Sequence, residues 1–283
     1  MKRGFLVYTD SGYEENKEFA QRFKCGGNKY GLEIDILLES KAVYGIHDGG
    51  FYFNCGKPDF VINRTRNYYL AFVLEQLGVR VFNGSGVTRQ CNDKADAYLA
   101  AAKYKVPCLN TYLSAKEYGL YAQSFPAVTK QLFSHGGKKV FLCKDEKELK
   151  ESARQIEGVY GITQNLLGGK EINDIRVYVL ANKIIGAVKR TAPEGGFKAN
   201  YSLGACIELF SPPKKLVEYI NRFLKHNYYD FAGFDFLTAN FEKYYFNEIE
   251  DCVGSRTLCI LKDIDTSSLL MQHIHTALNG KPF

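Results

Sequence analysis

The stretch YYDFAGFDFLTANFEKYYFNEIED, residues 228–251, reads as two strands, 230–239 and 244–250, joined by the loop Asn240-Phe241-Glu242-Lys243. Pairing Ala239 with Tyr244 sets Leu237 against Phe246 and Asp235 against Glu248. Residues two apart in a strand share a face, so Glu250 follows Glu248 on that face at ~6.6 Å. Directly opposed side chains have Cβ atoms roughly 5 Å apart, where like charges destabilise the pair. Asp235 also interrupts the apolar run Phe231–Leu237, where an uncompensated carboxylate is costly. Water, a basic residue or a cation must therefore lie among these acids. A hard divalent cation such as Mg²⁺ takes oxygen ligands and keeps positions open for phosphate oxygens. Two such ions about 3.5 to 4 Å apart match the spacing. The hairpin by itself is equally an edge of solvated acids paired with Lys or Arg.

The other 259 or so positions bound the answer. At 283 residues and 46% hydrophobic content the chain can bury a large core and form two or three domains. It has no run of 18 apolar residues, and MKRGFLVYTD breaks too early for a secretory signal, so a cytoplasmic location with no membrane partner is expected. Eight scattered cysteines form no C-x-x-C pair and read as reduced packing thiols. His273 and His275 read as a surface pair on a helix. A net charge of +6 without a dense basic tract argues against nucleic acid as a partner and suits a small anionic ligand.

The first ninety residues alternate strand and helix patterns, which predicts an open α/β layer. Its pieces are strand 4–8, helix 14–30, strand 32–37, a hairpin over 43–53 turning at Asp48-Gly49-Gly50, strand 59–62, helix 68–77 and strand 79–82. Asn83-Gly84-Ser85-Gly86 reads as a linker and domain boundary. Helices follow over 93–104 and 113–123, then an α+β unit from about 125 to 165. Two long strands, 174–180 and 183–190, and a helix over 213–226 precede the acidic hairpin, and helices close the chain. The fold class is thus α/β and α+β.

Polyphosphate beside a metal needs cations. Lys130 ends the strand of FPAVTK, just before Ser134-His135-Gly136-Gly137-Lys138, where glycines let backbone N–H groups approach phosphate, although a plain hairpin turn fits as well. Neither G-x-x-x-x-G-K-[ST] nor G-x-G-x-x-G occurs. Arg176 shares a strand face with Asp174, while Ile175 and Val177 take the other, and Lys189-Arg190 ends the neighbouring strand.

In order, FPAVTK…SHGG, TQNLLGGKEINDIRVYVLANKIIGAVKRTAPEGGFKANYSLGA, YYDFAGFDFL and NEIEDCVG resemble the ATP-grasp superfamily, and within it the RimK-type carboxylate-amine ligases. The resemblance covers roughly residues 90 to 260. It implies an N-terminal pre-ATP-grasp domain (1–90) before a two-subdomain ATP-grasp domain (91–283) whose lid spans about 125–165. ATP would lie between the subdomains, with Lys94 and Lys130 at phosphate, Gln164, Asn165, Leu166 and Leu167 along the adenine, and Asp174 nearby. Lys198, Ala199 and Asn200 would cover the phosphates, with Lys198, Asn200 and Arg190 as catalytic groups and Arg190 at the transferring phosphoryl. Asp235, Glu248 and Glu250 would hold Mg²⁺, two ions being expected and Mn²⁺ acceptable. The family's last ligand is usually Asn, so Glu250 makes this site more negative. Asn165 stands where an acid is common, Ser202-Leu203-Gly204-Ala205 lacks a basic residue and a second glycine, and Asp251-Cys252-Val253-Gly254 replaces a serine- and proline-containing turn.

The expected reaction is ATP-dependent ligation of a carboxylate to an amine through an acyl phosphate, releasing ADP and phosphate. The substrates would be small carboxylates and amines, amino acids or a peptide among them. Candidates for the substrate side are Arg64 and Arg66 at a strand end, Arg176, and Arg256 after the acidic strand, because arginine forks suit carboxylates. The rival readings are a phosphotransferase that stops at the phosphorylated substrate and an ATP-binding scaffold without turnover. A homodimer is a family-level expectation.

Overall fold

The computed structural model describes residues 1–169, 171–191, 206–262 and 264–280. Its first part contains β1 (Lys2–Tyr8), α1 (Asp10–Asn28), β2 (Leu32–Leu38), β3 (Tyr44–His47), β4 (Gly50–Phe53), β5 (Phe60–Asn63), α2 (Tyr68–Gln76) and β6 (Arg80–Phe82). Strands β2-β1-β5-β6 form one parallel sheet, and β3-β4 form the separate hairpin. Two helices, α3 (Ser85–Asn92) and α4 (Lys94–Lys103), lead to an antiparallel sheet ordered β7-β10-β8-β9, from β7 (Thr111–Ala115), β8 (Ala127–Gln131), β9 (Val140–Cys143) and β10 (Tyr160–Asn165), with α5 (Glu146–Gln155) between the last two in sequence.

The third sheet is antiparallel and ordered β13-β12-β11-β14-β15. Its strands are β11 (Asn173–Leu180), β12 (Lys183–Thr191), β13 (Cys206–Leu209), β14 (Phe231–Thr238) and β15 (Tyr245–Glu250), with α6 (Lys214–Leu224), α7 (Arg256–Lys262) and α8 (Thr266–Leu278). One face carries Ile175, Val177, Val179, Phe234, Phe236, Phe246 and Ile249 against Leu216, Ile220 and Phe223 of α6 and Ala97, Tyr98 and Ala101 of α4. Tyr178 and Leu180, on the other face of β11, share a core with Leu6, Phe23 and Phe60 of the first part and with Leu258, Met271 and Ile274. The parallel sheet is thereby fastened to the back of the third sheet.

Four sequence expectations change. Residues 111–115 are a strand, not the start of a helix, because Thr111–Ala115 pair antiparallel with β10 and supply that sheet's outer edge. The Asn83–Gly86 stretch is not a linker. A helix starts at Ser85, whose backbone N–H donates to Glu75 Oε1 at 2.7 Å, and Val87 buries against the main core. His273 is buried, 2.7 Å from Asp230, which Arg80 also meets at 2.7 Å, so it belongs to an internal polar cluster rather than a surface pair.

The acidic hairpin keeps Asp235 opposite Glu248, but Leu237 faces Tyr245 and Phe236 faces Phe246. A bulge at Asn247 accounts for the shift. Phe246 and Ile249 both enter the core although three residues apart, and an extra residue between them is what permits that while Glu248 and Glu250 stay on the opposite face.

Backbone crowding differs sharply between two glycines. A Cβ on Gly4 would lie 2.4 Å from the buried Phe60 ring, whereas one on Gly31 (φ 68°) would meet nothing within 4 Å. Gly4→Ala is expected to destabilise by about 1–3 kcal/mol through overpacking, and Gly31→Ala by about 1 kcal/mol through its left-handed backbone alone. Urea denaturation of both variants measures the difference.

Candidate active site

Asp235 stands fully buried in the middle of β14, so its charge has to be met by protein groups. Arg176, directly opposite on β11, grips it with two bonds, Nε to Oδ1 at 2.7 Å and Nη2 to Oδ2 at 2.6 Å. Arg190 Nη2 donates to the same Oδ2 at 2.7 Å and to Asp174 Oδ2 at 2.6 Å. Arg176 Nη1 extends the network to Glu250 Oε2 at 2.9 Å. Register produces this pattern: Arg190 is opposite Asp174, Arg176 opposite Asp235, and Asp235 opposite Glu248, so charges of opposite sign meet across β12, β11 and β14 and like charges meet only at β14–β15. Gly233, opposite Glu250, leaves room for the turn after β15, since a Cβ there would fall 2.6 Å from Val253 Cγ2 and 3.5 Å from Arg176 Cδ.

Carboxylate oxygens of Asp235, Glu248 and Glu250 all lie within 4.8 Å of one another. Glu248 has its ion pair with Lys94 at 3.9 Å, too long for a hydrogen bond. Lys94, at the start of α4, donates from Nζ to the Ser134 carbonyl in the loop after β8. Lys130, in β8, donates from Nζ to Tyr98 Oη at 2.8 Å and to Asn247 Oδ1 at 2.9 Å.

Burial opposes every one of these charges. It pulls the Lys130 ammonium down to about 8, although Glu248 and Asp174 act the other way. It pushes the Asp174 carboxyl up to about 7, with Asp235 adding to the rise and Arg190 resisting it. Burial raises Glu248 too, against the pull of Lys94. Asp235 departs in the other direction: burial works to raise it, but the two arginines outweigh burial and hold it below the ordinary carboxylate value.

The residues that the sequence singles out divide by position. Lys94, Lys130, Asp174, Arg176, Arg190, Asp235, Glu248 and Glu250 come together in the gap between the second and third sheets. Gln164, at the end of β10, is buried, donating from Nε2 to Thr111 Oγ1 at 2.8 Å and accepting from Tyr98 Oη at 3.3 Å. Asn165 reaches Ser124 Oγ at 3.3 Å, and Leu166 and Leu167 begin the connection from β10 to β11. Lys198, Ala199 and Asn200 lie outside the described residues.

Two members of the substrate set are placed differently from expectation. Arg176 spends its guanidinium on Asp235 and Glu250. Arg256 is exposed at the start of α7, where Nη2 donates to the Glu15 carbonyl at 3.4 Å, away from the acids. Tyr98 and Asn247 escaped the sequence reading, although the three-residue interval between Phe246 and Ile249 carried the signal for the bulge.

Residues 92–274 match the RimK-like ATP-grasp domain. The chain belongs to that family. It is an ATP-grasp ligase, of the class that joins carboxylates to amines. Protein MG011 of Mycoplasma genitalium is 29% identical over 280 residues, covering 96% of this chain and 92% of its own length. The glutamate–LysW ligase ArgX of Sulfurisphaera tokodaii is 25% identical over 233 residues, 77% of this chain and 82% of the relative. A RimK-domain ATP-grasp protein from Sphaerobacter thermophilus has the same fold, with a TM-score of 0.73 at 15% identity over 96% of this chain and 98% of that one.

A nucleotide with its cation fits an ATP-grasp site of this construction. Asp174 Oδ1 and Arg190 Nε are buried with no hydrogen-bond partner among the described residues, and Glu248 has Lys94 only at 3.9 Å, which leaves its carboxylate able to take a cation.

The N-terminal layer meets the site through two arginines after β5. Arg64 Nη2 donates to the carbonyls of Cys252 at 3.1 Å and Val253 at 3.4 Å, bracing the turn after β15. Arg66 is half-buried in the left-handed region (φ 66°), and acts electrostatically on Asp251 and on His135 in the loop after β8. Desolvation, and after it the charges of Arg66, Lys94 and Lys138, bring the His135 imidazole down to about 3.

Asp235→Ala should cost about 3–5 kcal/mol, because two buried guanidinium groups lose their shared counter-charge; urea unfolding reads this directly. For Asp174 the folded value of about 7 exceeds the unfolded one. The unfolded chain therefore releases its proton first, and stability of the nucleotide-free protein should fall as pH rises from about 4 to 7. In Asp174→Asn that part of the pH dependence should vanish.

Proposed function

We propose that this ligase forms an amide by activating a substrate carboxylate with ATP. A carboxylate oxygen attacks the γ-phosphorus, the bond to the bridging oxygen breaks, and ADP leaves. The amine nitrogen then attacks the acyl carbon, loses a proton, and inorganic phosphate departs. Bound Mg²⁺, as two ions or with Mn²⁺ in its place, would neutralise phosphate charge and polarise the transferred group, held by Asp235, Glu248 and Glu250. Lys94 and Lys130 provide positive charge at the phosphates, and Arg190 faces the transferring phosphoryl with Nε still to be satisfied. Gln164, Asn165, Leu166 and Leu167 border the base, with Lys198, Ala199 and Asn200 closing over the phosphates. Residues 1–90 serve as the pre-ATP-grasp domain and 91–283 as the ATP-grasp domain.

The observation that carries this reading is the convergence of Asp235, Glu248 and Glu250 within 4.8 Å beside Arg190, Lys94 and Lys130. Carboxylate phosphorylation brings two anions together, and a buried site with balanced charges of both signs lowers that barrier without solvent reorganisation.

On the substrate side the positive charge of Arg66, half-buried after β5, suits an acidic amino acid or the acidic end of a peptide. The relative from Sulfurisphaera tokodaii is named a glutamate–LysW ligase, in keeping with that class. Arg66 takes the anchoring role here, while Arg64 sets the wall by its bonds to Cys252 and Val253.

Incubation with Mg-ATP, pooled amino acids and hydroxylamine tests the chemistry. ADP and a carboxylate-dependent hydroxamate are expected, with Glu248→Gln slowing turnover by about 100-fold or more. AMP with pyrophosphate would overturn the acyl-phosphate route, and ADP formed with no amine requirement would indicate phosphotransfer alone.

A further inference from the structure

Lys130 is served by two neutral oxygens, Tyr98 Oη and Asn247 Oδ1. Its ammonium has three N–H donors. One goes to Tyr98 Oη at 2.8 Å and one to Asn247 Oδ1 at 2.9 Å. Tetrahedral geometry then fixes the direction of the third. Tyr98 Oη is itself tied to Gln164 Oε1 at 3.3 Å, and Gln164 to Thr111 Oγ1 at 2.8 Å, so the chain runs from the end of β10 to the acidic strand. Tyr98 and Gln164 are buried, and Asn247 is half-buried.

The backbone has made room for this arrangement. Asn247 is the bulge residue of β15, the one position between Phe246 and Glu248–Ile249 that belongs to neither the core face nor the acidic face of the regular ladder. A regular strand through the same residues would bring Phe246 onto the face of Glu248. The bulge thus meets two needs at once, core packing and an acceptor aimed at Lys130.

We infer that Tyr98 and Asn247 are positioning residues that hold the Lys130 ammonium charged and leave one donor for an anionic oxygen of the nucleotide. The contact with nucleotide rests on the proposed function; the hold on the ammonium does not. A carboxylate in place of either oxygen would pair with the lysine and offset its attraction for an anionic ligand. A hydrocarbon would leave a buried ammonium with an unmet donor. A neutral acceptor avoids both outcomes.

Carbon-13 NMR of the lysine Cε groups, with Lys130 assigned through Lys130→Arg, follows the ammonium without nucleotide. In the native protein Lys130 is expected to titrate near the value of about 8 that burial gives it. Asn247→Leu should lower that midpoint, since the charged form loses an acceptor, and Asn247→Asp should raise it. Asn247→Ser, which keeps an oxygen, should restore part of the shift, and Tyr98→Phe should act like Asn247→Leu. Opposite displacement by the two Asn247 variants is a signature that loosened packing would not give. Midpoints unchanged in all four variants would overturn the inference. Calorimetric titration with a non-hydrolysable ATP analogue and Mg²⁺ then tests the second half: binding to Asn247→Leu should weaken about tenfold. Shifted midpoints with unchanged nucleotide affinity would keep the hold on Lys130 and remove the phosphate contact.

Discussion

One carboxylate inside a sheet governs this molecule. Asp235 has no exposure to water, so its charge is tolerable only because Arg176 and Arg190 deliver three hydrogen bonds to it. Two guanidinium groups around one carboxylate leave an excess of positive charge, and Asp174 and Glu250 take it up. The network therefore closes only when β12, β11, β14 and β15 are all in register. A slip of one residue would turn each charge into the hydrophobic face and each of Ile175, Val177 and Phe234 out of it. Charge pairing and core packing enforce the same alignment, and the site's geometry follows from that agreement.

Burial makes such a network electrostatically strong and also expensive. Removing charged groups from water typically costs more than a pair recovers, so a buried ion cluster is poor evidence of selection for stability alone. Its composition here points to chemistry instead. The carboxylates on β14 and β15 face one another without a guanidinium between Asp235 and Glu248, and Lys94 and Lys130 approach from other elements. Charge is fully compensated on the β11 side and loosely compensated on the β15 side, which is where the proposed polyphosphate and its cation would find partners.

Much of this was legible in residue order. The alternation Asp174-Ile175-Arg176-Val177 fixed which side chains share a face, and Asp235 stood out as a charge in an apolar run. The parallel layer followed from strand and helix alternation over the first ninety residues, apart from α3, whose Ser85-Gly86 opening looks like a linker until Glu75 is seen to bind it. Strand β7 was hidden because its partner, β10, lies far along the chain, and local preference alone does not reveal such an edge. Pairing also decided what meets Asp235: residue order left water, a basic residue or a cation open, and the register brings two arginines. The bulge at Asn247 was encoded in the interval between Phe246 and Ile249, but a hairpin drawn with a strict period of two passes over it.

The sheet formed by β7 to β10 has a small core of its own, Leu120, Cys143, Leu149 and Ile156, and joins the main cluster through Ile162 of β10 and Leu132 after β8. A unit held by so few apolar side chains opens at a lower free energy than its surroundings. Its amide protons would therefore exchange with solvent while those of β11 and β14 stay protected, and a protease would find its turns first. Lys130 travels with that sheet and its partner Asn247 does not, so each opening would carry the ammonium away from the acids and each closing would return it, making access to the gap a matter of local unfolding equilibrium.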